Sequence, residues 1–329
     1  MISLLLSAAR AREHADALRF AAHAEGETLR LVTPEDVAHV PTLLEDVQVA
    51  WYTLDLLEGG SPTGPASRRF FALLQDCPAL RWLHVMSAGT ELPMYEPVRR
   101  RGVLFTTGSG IAAQPVAHSA VAAVMALSRG FGHWTAAQQR REWSRIPPDR
   151  LPRDLPGQHA VVIGLGPIGL EIARLLRAVG LHVTGVRSRA QPADGVDRTI
   201  AFGELAGVIG TADWLIVCCP LSDLTRGLVD RTMLASLPMG AGIVNVSRGA
   251  VIDEPALRDA LTTGRVGAAY LDVFEQEPLA ADSPFWSLPN VWISPHNAAA
   301  SRGNAARELR LFVRNLGNFL AGRSLENAR

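Results

Sequence analysis

In the middle of the chain an apolar run, His159 to Ile163, feeds directly into Gly164-Leu165-Gly166-Pro167-Ile168-Gly169. The residues from Ile168 to Val179 then carry helical periodicity. Strand, glycine turn and helix in that order leave little choice of architecture. The next apolar run, His182 to Val186, is expected to return parallel to the first and complete a βαβ unit. Glycines at these spacings permit a tight turn, close approach of a pyrophosphate, and close packing of helix on strand. The helix start adds N–H groups and the positive end of its dipole. A glycine turn alone is a weak signal, and an αβ turn without a ligand is the alternative. The strand before it and the helix after it supply the context a dinucleotide site requires. Gly164, Gly166, Pro167, Ile168 and Gly169 are therefore the expected nucleotide-binding residues.

The rest of the chain repeats the alternation. Short runs at Ile2 to Ser7, Val47 to Thr53, Leu80 to Met86 and Val103 to Thr106 read as strands buried on both faces, with helical stretches such as Ser67 to Gln75 between them. A long Ala-rich helix is expected from Gln114 to Arg141, opened by Pro115, and a Pro- and Arg-rich surface connector from Ile146 to Pro156. Further strands follow at Trp214 to Cys218, Gly242 to Val246, Gly267 to Leu271 and Val291 to Ile293, and a last amphipathic helix at Asn304 to Leu320. The pattern predicts α/β architecture with a doubly wound parallel sheet. A chain of 329 residues has room for two such domains.

Composition removes several classes of function. Basic and acidic residues number 32 each, so no general positive field favours nucleic acid. The clusters Arg99-Arg100-Arg101 and Arg140-Arg141 read as solvated helix ends. Cys77, Cys218 and Cys219 form no disulfide framework and no CxxC pair, and the histidines lack metal-ligand spacing, so no metal is expected. Adjacent Cys218 and Cys219 should point to opposite faces of a strand as small buried residues. The opening MISLLLSAAR lacks a basic leader and soon meets charge, so it reads as a first strand rather than a signal peptide. No apolar run approaches the ~20 residues of a membrane span. A soluble, cytoplasmic protein is expected, with neither membrane nor nucleic acid as partner.

The second strand of the βαβ unit narrows the nucleotide. Many NAD sites hold the ribose hydroxyls with a carboxylate about 20 residues beyond the glycines. Here the strand ends in Arg187-Ser188-Arg189. Two guanidiniums and a hydroxyl suit a 2′-phosphate. NADP is thus expected, with NAD possible; the alternative is a pair of solvated arginines beside an indifferent site.

Downstream segments carry a resemblance. NVSRGAVIDEPAL (Asn245 to Leu257), LDVFEQEPL (Leu271 to Leu279) and LPNVWISPHNAAAS (Leu288 to Ser301) resemble the D-isomer-specific 2-hydroxyacid dehydrogenase family, as do LRWLHVMSAGTE in the first domain and CCPLSDLTRGLV. Together they span nearly the whole chain. The resemblance implies two Rossmann-like domains, a dinucleotide-binding domain (112–296) inserted into a discontinuous substrate domain (1–111 with 297–329). It implies catalysis by Arg248, Glu277 and His296. Arginine suits a substrate carboxylate and keto group, histidine a general acid near neutral pH, and glutamate the orientation of that histidine. Glu275, two residues earlier, is the decoy, because the family places its carboxylate immediately before the proline. Ala88 and Gly89, in Ser87-Ala88-Gly89, would receive the substrate carboxylate on backbone N–H groups. Cys219, Pro220, Thr225, Val246, Ser247 and Asp272 join the cofactor-binding set, Asp272 near the nicotinamide.

The resemblance further implies a cleft between domains at the carboxyl ends of the strands, a homodimer built on the Ala-rich helix with Trp134 and Trp143, and reversible reduction of a small 2-keto acid to a D-2-hydroxy acid. The Arg-ending second strand points towards glyoxylate/hydroxypyruvate reductases. Side chains such as Leu92, Met94, Tyr95 and Trp286 are candidates to shape the pocket, without firm placement. His118 departs from the family, which more often has glutamate there. The other functional class is a nucleotide-sensing corepressor of the same fold.

Overall fold

The structure, a computed structural model, describes residues 1–57, 64–90 and 92–329. Glu91, the last residue of LRWLHVMSAGTE, lies outside the described residues. In chain order the first elements are β1 (Ile2–Leu5), α1 (Ala8–Ala24), β2 (Leu29–Val32), α2 (Pro34–His39), β3 (Val47–Tyr52), α3 (Pro65–Gln75), β4 (Trp82–Val85), α4 (Glu96–Arg99) and β5 (Leu104–Thr107). Then come α5 (Ala113–Ser128), α6 (Phe131–Gln139), β6 (His159–Ile163), α7 (Pro167–Ala178), β7 (His182–Arg187), β8 (Arg198–Ala201) and β9 (Trp214–Val217). The chain continues through α8 (Arg231–Ser236), β10 (Ala241–Asn245), α9 (Glu254–Thr262), β11 (Val266–Leu271), β12 (Val291–Ile293) and α10 (Asn304–Leu320).

These elements gather into two compact units, Met1–Ile111 with Arg302–Arg329, and Ala112–Ser301. Residues 297–301, expected in the first, pack in the second. The reason is local: the Asn297 and Ala298 N–H groups bond to Asp272 Oδ1, and Ser119 Oγ donates to the Ala298 carbonyl.

The first unit is a five-stranded parallel sheet in the order β2-β1-β3-β4-β5. Alternating strand residues feed two cores, as the period-two geometry of a strand demands. Leu5, Ala50, Tyr52 and Leu83 face one side with Phe70 and Leu74 of α3. Leu4, Leu6, Val49, Trp51 and Trp82 face the other, with Leu18 of α1 and Phe312 and Leu316 of α10.

The second unit is a seven-stranded parallel sheet, β12-β11-β10-β9-β6-β7-β8, covered by α5 and α7 on one face and α8 and α9 on the other. Both units are therefore α/β with parallel sheets, as the alternation predicts.

Two strands escape a reading by apolar runs. β2 and β8 lie at sheet edges and are only partly buried, so neither presents the continuous hydrophobic stretch of a central strand. The long helix expected from 114 to 141 is two helices. Gly130, with φ +77°, ends the first and caps the second, and Ile146 packs where its side chain would stand. His118 is exposed on α5, near Glu171 of α7. Among the described residues no helix is long and apolar enough to cross a membrane.

A carboxyl group is among the polar groups buried in the first unit. Glu308 of α10 is 5% exposed and accepts a hydrogen bond from Trp51 Nε1 at 2.9 Å. Burial raises its carboxyl to about 7, with the Trp51 bond and Arg10 opposing and Asp55 assisting. A group that binds its proton more tightly when folded than when unfolded stabilises most at low pH. Its contribution should fade between the ordinary glutamate range and pH 7. Glu308→Gln keeps the acceptor for Trp51 and removes the titration. Urea melts should show the variant matching wild type near pH 4.5 and exceeding it by about 3 kcal/mol at pH 8. A difference that does not change with pH would contradict this.

Candidate active site

In the larger sheet the strand order departs from β6 in both directions, through β7 to β8 and through β9 to β12. Such a switch point opens a crevice at the carboxyl ends of the strands, and the glycine turn stands there. Two of its glycines are required by the protein's own packing. A Cβ on Gly164, at φ +105°, would lie 2.7 Å from the Cys219 backbone, and one on Gly169 would lie 1.8 Å from the Gly164 carbonyl oxygen. Gly166 is different. Its φ is −78°, and a Cβ there would meet nothing within 4 Å. It is also the N-cap of α7 and has no side chain to satisfy the first N–H groups. An uncapped helix start above open ground suits a pyrophosphate, so these residues fit a dinucleotide. Gly185 of β7 seats the Leu165 side chain, which a Cβ would approach to 2.5 Å.

Around the turn, β7 ends in half-buried Arg187, followed by exposed Ser188 and Arg189. No carboxylate occupies this strand end. Cys218 Sγ donates to the Ile163 and Gly164 carbonyls, while Cys219 packs on the opposite face. Burial pushes both thiols up, Cys219 to about 11, so they behave as small buried residues. Pro220 is exposed, and Thr225 closes its loop by donating to the Pro220 carbonyl at 2.7 Å and accepting from Ser222 N.

His296 follows β12, the edge strand beside β11. Its backbone adopts φ +52°, a left-handed conformation that costs a non-glycine residue about 1–3 kcal/mol. Asp272, buried just after β11, holds it there. The His296 N–H donates to the Asp272 carbonyl at 2.7 Å, and Asp272 Oδ1 accepts from Asn297 N (2.7 Å), Ala298 N (2.9 Å) and Ser294 Oγ. The ring thus turned out sets Nδ1 at 2.8 Å from Glu277 Oε2. A carboxylate can only accept, so Nδ1 carries the proton and Nε2 is left for other partners. Glu277 Oε1 accepts from Phe274 N at 3.1 Å. Of the two glutamates in EQEP, Glu277 meets the histidine and Glu275 does not.

Arg248 follows β10, the next strand in. Asn245 shapes its loop: Oδ1 accepts from Ser247 N and Oγ, and Nδ2 donates to the Arg248 carbonyl. Val246 and Ser247 are buried, and the half-buried Arg248 donates from Nη1 to the Ser247 carbonyl at 2.7 Å. Gly249 lets this loop press against the next. A Cβ there would fall 1.9 Å from the Phe274 carbonyl carbon and 2.1 Å from Glu275 N. The loops carrying Arg248 and Glu277 therefore meet backbone to backbone.

In the other unit, Ser87-Ala88-Gly89 follows β4. Ser87 Oγ donates to the Gly89 carbonyl at 2.9 Å and lies 3.1 Å from Tyr95 Oη. Gly108 N donates to the Ser87 carbonyl, holding the loop from beneath. Tyr95 is wholly buried in the core of its unit, so it cannot offer its ring to a pocket as the sequence suggested; it supports Ser87 instead. Leu92 and Met94 pack partly buried on the same core, and Trp286 is half exposed in the second unit, its Nε1 bonded to the Ala280 carbonyl.

Residues 121–298 match the family described as D-isomer specific 2-hydroxyacid dehydrogenase, NAD binding domain. The chain belongs to this family. It is 31% identical over 258 residues to glyoxylate/hydroxypyruvate reductase B of Klebsiella pneumoniae subsp. pneumoniae, covering 78% of this chain and 80% of that one. It is 30% identical over 253 residues to glyoxylate/hydroxypyruvate reductase HPR3 of Arabidopsis thaliana, covering 77% of each. Among solved structures it is similar to a D-isomer specific 2-hydroxyacid dehydrogenase from Xanthobacter autotrophicus Py2 in complex with NADPH and MES. There the TM-score is 0.76, with 29% identity, 100% of this chain and 97% of the other covered.

In this 2-hydroxyacid dehydrogenase several supports lie inside the segments that carry the resemblance yet give no sequence signal of their own. Gly249, Glu254 and Ser294 act through contacts with groups distant in the chain, which no local spacing reveals, while Asn245 shapes its own loop. The two kinds of glycine can be separated by experiment. Gly166→Ala should melt like wild type and bind nicotinamide dinucleotide about tenfold more weakly, a loss of ~1.4 kcal/mol by titration calorimetry. Gly249→Ala should instead lose about 3 kcal/mol of stability, because backbone cannot yield as a side chain would. Normal dinucleotide binding by Gly166→Ala would refute the open-cradle reading.

Proposed function

We propose that this protein reduces a small 2-keto acid of the glyoxylate/hydroxypyruvate kind to its D-2-hydroxy acid, reversibly, preferring NADPH to NADH. The observation that carries the reading is the His296 ring, fixed by its backbone and bonded through Nδ1 to Glu277. When bound, the nicotinamide supplies the hydride. His296, charged, gives its Nε2 proton to the oxygen that gains negative charge as C2 is reduced, and keeps its Nδ1 proton, which it donates in a hydrogen bond to Glu277. In the oxidative direction the neutral ring takes that proton back. Arg248 holds the substrate carboxylate and polarises the keto oxygen with the donors not engaged by Ser247. Ala88 and Gly89 offer further N–H groups to the carboxylate.

The unit Ala112–Ser301 serves as the dinucleotide-binding domain and the other as the substrate domain. Gly164, Gly166, Pro167, Ile168 and Gly169 hold the pyrophosphate; Cys219, Pro220, Thr225, Val246, Ser247 and Asp272 complete the cofactor's surroundings. Arg187, Ser188 and Arg189 take the 2′-phosphate, supported by the absence of a carboxylate at the end of β7 and by a relative solved with NADPH. The relatives named glyoxylate/hydroxypyruvate reductases support the substrate class. Exposed aromatic groups on and after α6, Phe131, Trp134 and Trp143 (95% exposed), support a homodimer; its proposed location is the cytoplasm. Light scattering should give twice the chain mass.

NADPH oxidation assayed with glyoxylate, hydroxypyruvate, pyruvate and phenylpyruvate should show turnover with one of the first two preferred. His296→Ala should lower kcat by about 10²–10⁴-fold while binding nucleotide normally. Arg187→Ala should raise the KM for NADPH and leave that for NADH unchanged. No turnover on any keto acid, with tight nucleotide binding retained, would favour a nucleotide-sensing protein; preference for NADH would refute the role of Arg187.

A further inference from the structure

Glu254, the first residue of α9, has no part in the chemistry above, yet its carboxylate reaches the segment that carries Glu277. Its Oε1 accepts a hydrogen bond from Glu275 N at 2.5 Å, across 21 residues of sequence. The same stretch of backbone is pinned twice more. Gly249 lies beneath Phe274 and Glu275, close enough to exclude a Cβ, and Phe274 N donates to Glu277 Oε1. The segment from Phe274 to Glu277 is thus a short turn tied to the Arg248 loop, to α9, and to its own glutamate. The carboxylate that faces His296 Nδ1 stands at the end of this turn.

We propose that Glu254 is a positioning residue for the Glu277–His296 pair, acting through the Glu275 N–H to hold Glu277 Oε2 against the ring. This rests on the proposed roles of Glu277 and His296. A helix-start role alone does not account for the hydrogen bond to Glu275. A carboxylate in the first turn already gains from the helix dipole in water, whereas Glu254 is drawn into partial burial beside two further carboxylates. Burial raises its carboxyl, the bond from Glu275 N opposes this, and the charges of Glu275 and Glu277 raise it again. The Asp253 side chain, by accepting from Ala256 N, already caps the helix. Glu254 therefore spends its hydrogen bond on the loop rather than on α9.

The test uses the full-length protein, with Glu254→Ala and Glu254→Gln compared. Gln retains an oxygen that can accept from Glu275 N; Ala does not. Crystal structures of both variants give a readout independent of turnover. Glu254→Ala should show Glu277 Oε2 withdrawn from His296 Nδ1 beyond hydrogen-bonding distance, while Glu254→Gln keeps the pair near the wild-type 2.8 Å. In keto-acid reduction, Glu254→Ala should lower kcat by about 10- to 100-fold, the cost of a displaced catalytic group, with the KM for nucleotide unchanged. Glu254→Gln should restore kcat to within about threefold of wild type, the retained acceptor leaving the geometry intact.

Combined with Glu277→Gln, the alanine substitution should cost little more in kcat, since residues that act through one another are not additive. An unmoved Glu277–His296 pair in Glu254→Ala overturns the proposal whether or not the wild type turns over. So does a full additive loss in the double variant, or an equal loss in Glu254→Gln. Absent turnover in wild type, with Glu277 Oε2 withdrawn from the ring only in Glu254→Ala, overturns the functional reading and supports the positioning role.

Discussion

A left-handed histidine is a liability that the chain accepts at one position, and Asp272 is what makes it tenable. The conformation at His296 costs about 1–3 kcal/mol. Against it stand a backbone bond to the Asp272 carbonyl and two backbone N–H groups plus one hydroxyl on Asp272 Oδ1. Hydrogen bonds to a charged acceptor contribute about 1.5–3 kcal/mol each, so the clamp exceeds the strain. The turn then points the ring outward, and its meeting with Glu277 depends on that direction. With an extended backbone at 296 the imidazole would not meet Glu277.

The sheet supplies the rest by adjacency. β10, β11 and β12 are neighbours in parallel register, so the residues that follow them emerge side by side at one edge. Arg248 follows the first, Asp272 and Glu277 the second, His296 the third. Gly249 permits the first two loops to touch, and Asn245 Oδ1 and Nδ2 bind the first loop to itself. The arrangement places the Arg248 loop and the His296 ring on either side of β11, at the same edge of the sheet.

Much of this was legible in the residues, for definite reasons. The glycine turn declares itself because a tight turn, a close approach and an open cradle each forbid a side chain. Central strands declare themselves because both faces are buried. The edge strands β2 and β8 do not, because half of each stays wet. Gly130 looked like one more residue of an Ala-rich helix, and only its positive φ shows the break. Tyr95 reads from sequence as one of several candidates for the pocket without firm placement, and its burial and its contact with Ser87 show it to be a support. The left-handed turn at His296 was hidden altogether, since nothing in SPHNAAAS announces it. Asp272 is read from sequence as a neighbour of the nicotinamide; its hydrogen bonds show what else it does.

The central claim is that Glu277 fixes the His296 ring with its proton on Nδ1 and leaves Nε2 to the substrate. Long-range ¹H–¹⁵N spectra of histidine-labelled protein, with the His296 signal assigned by substitution, read the tautomer of the neutral ring directly. The account predicts a protonated Nδ1 and a bare Nε2 for His296, reverting to a mixture in Glu277→Gln. A neutral ring protonated on Nε2 in the unaltered protein would contradict it.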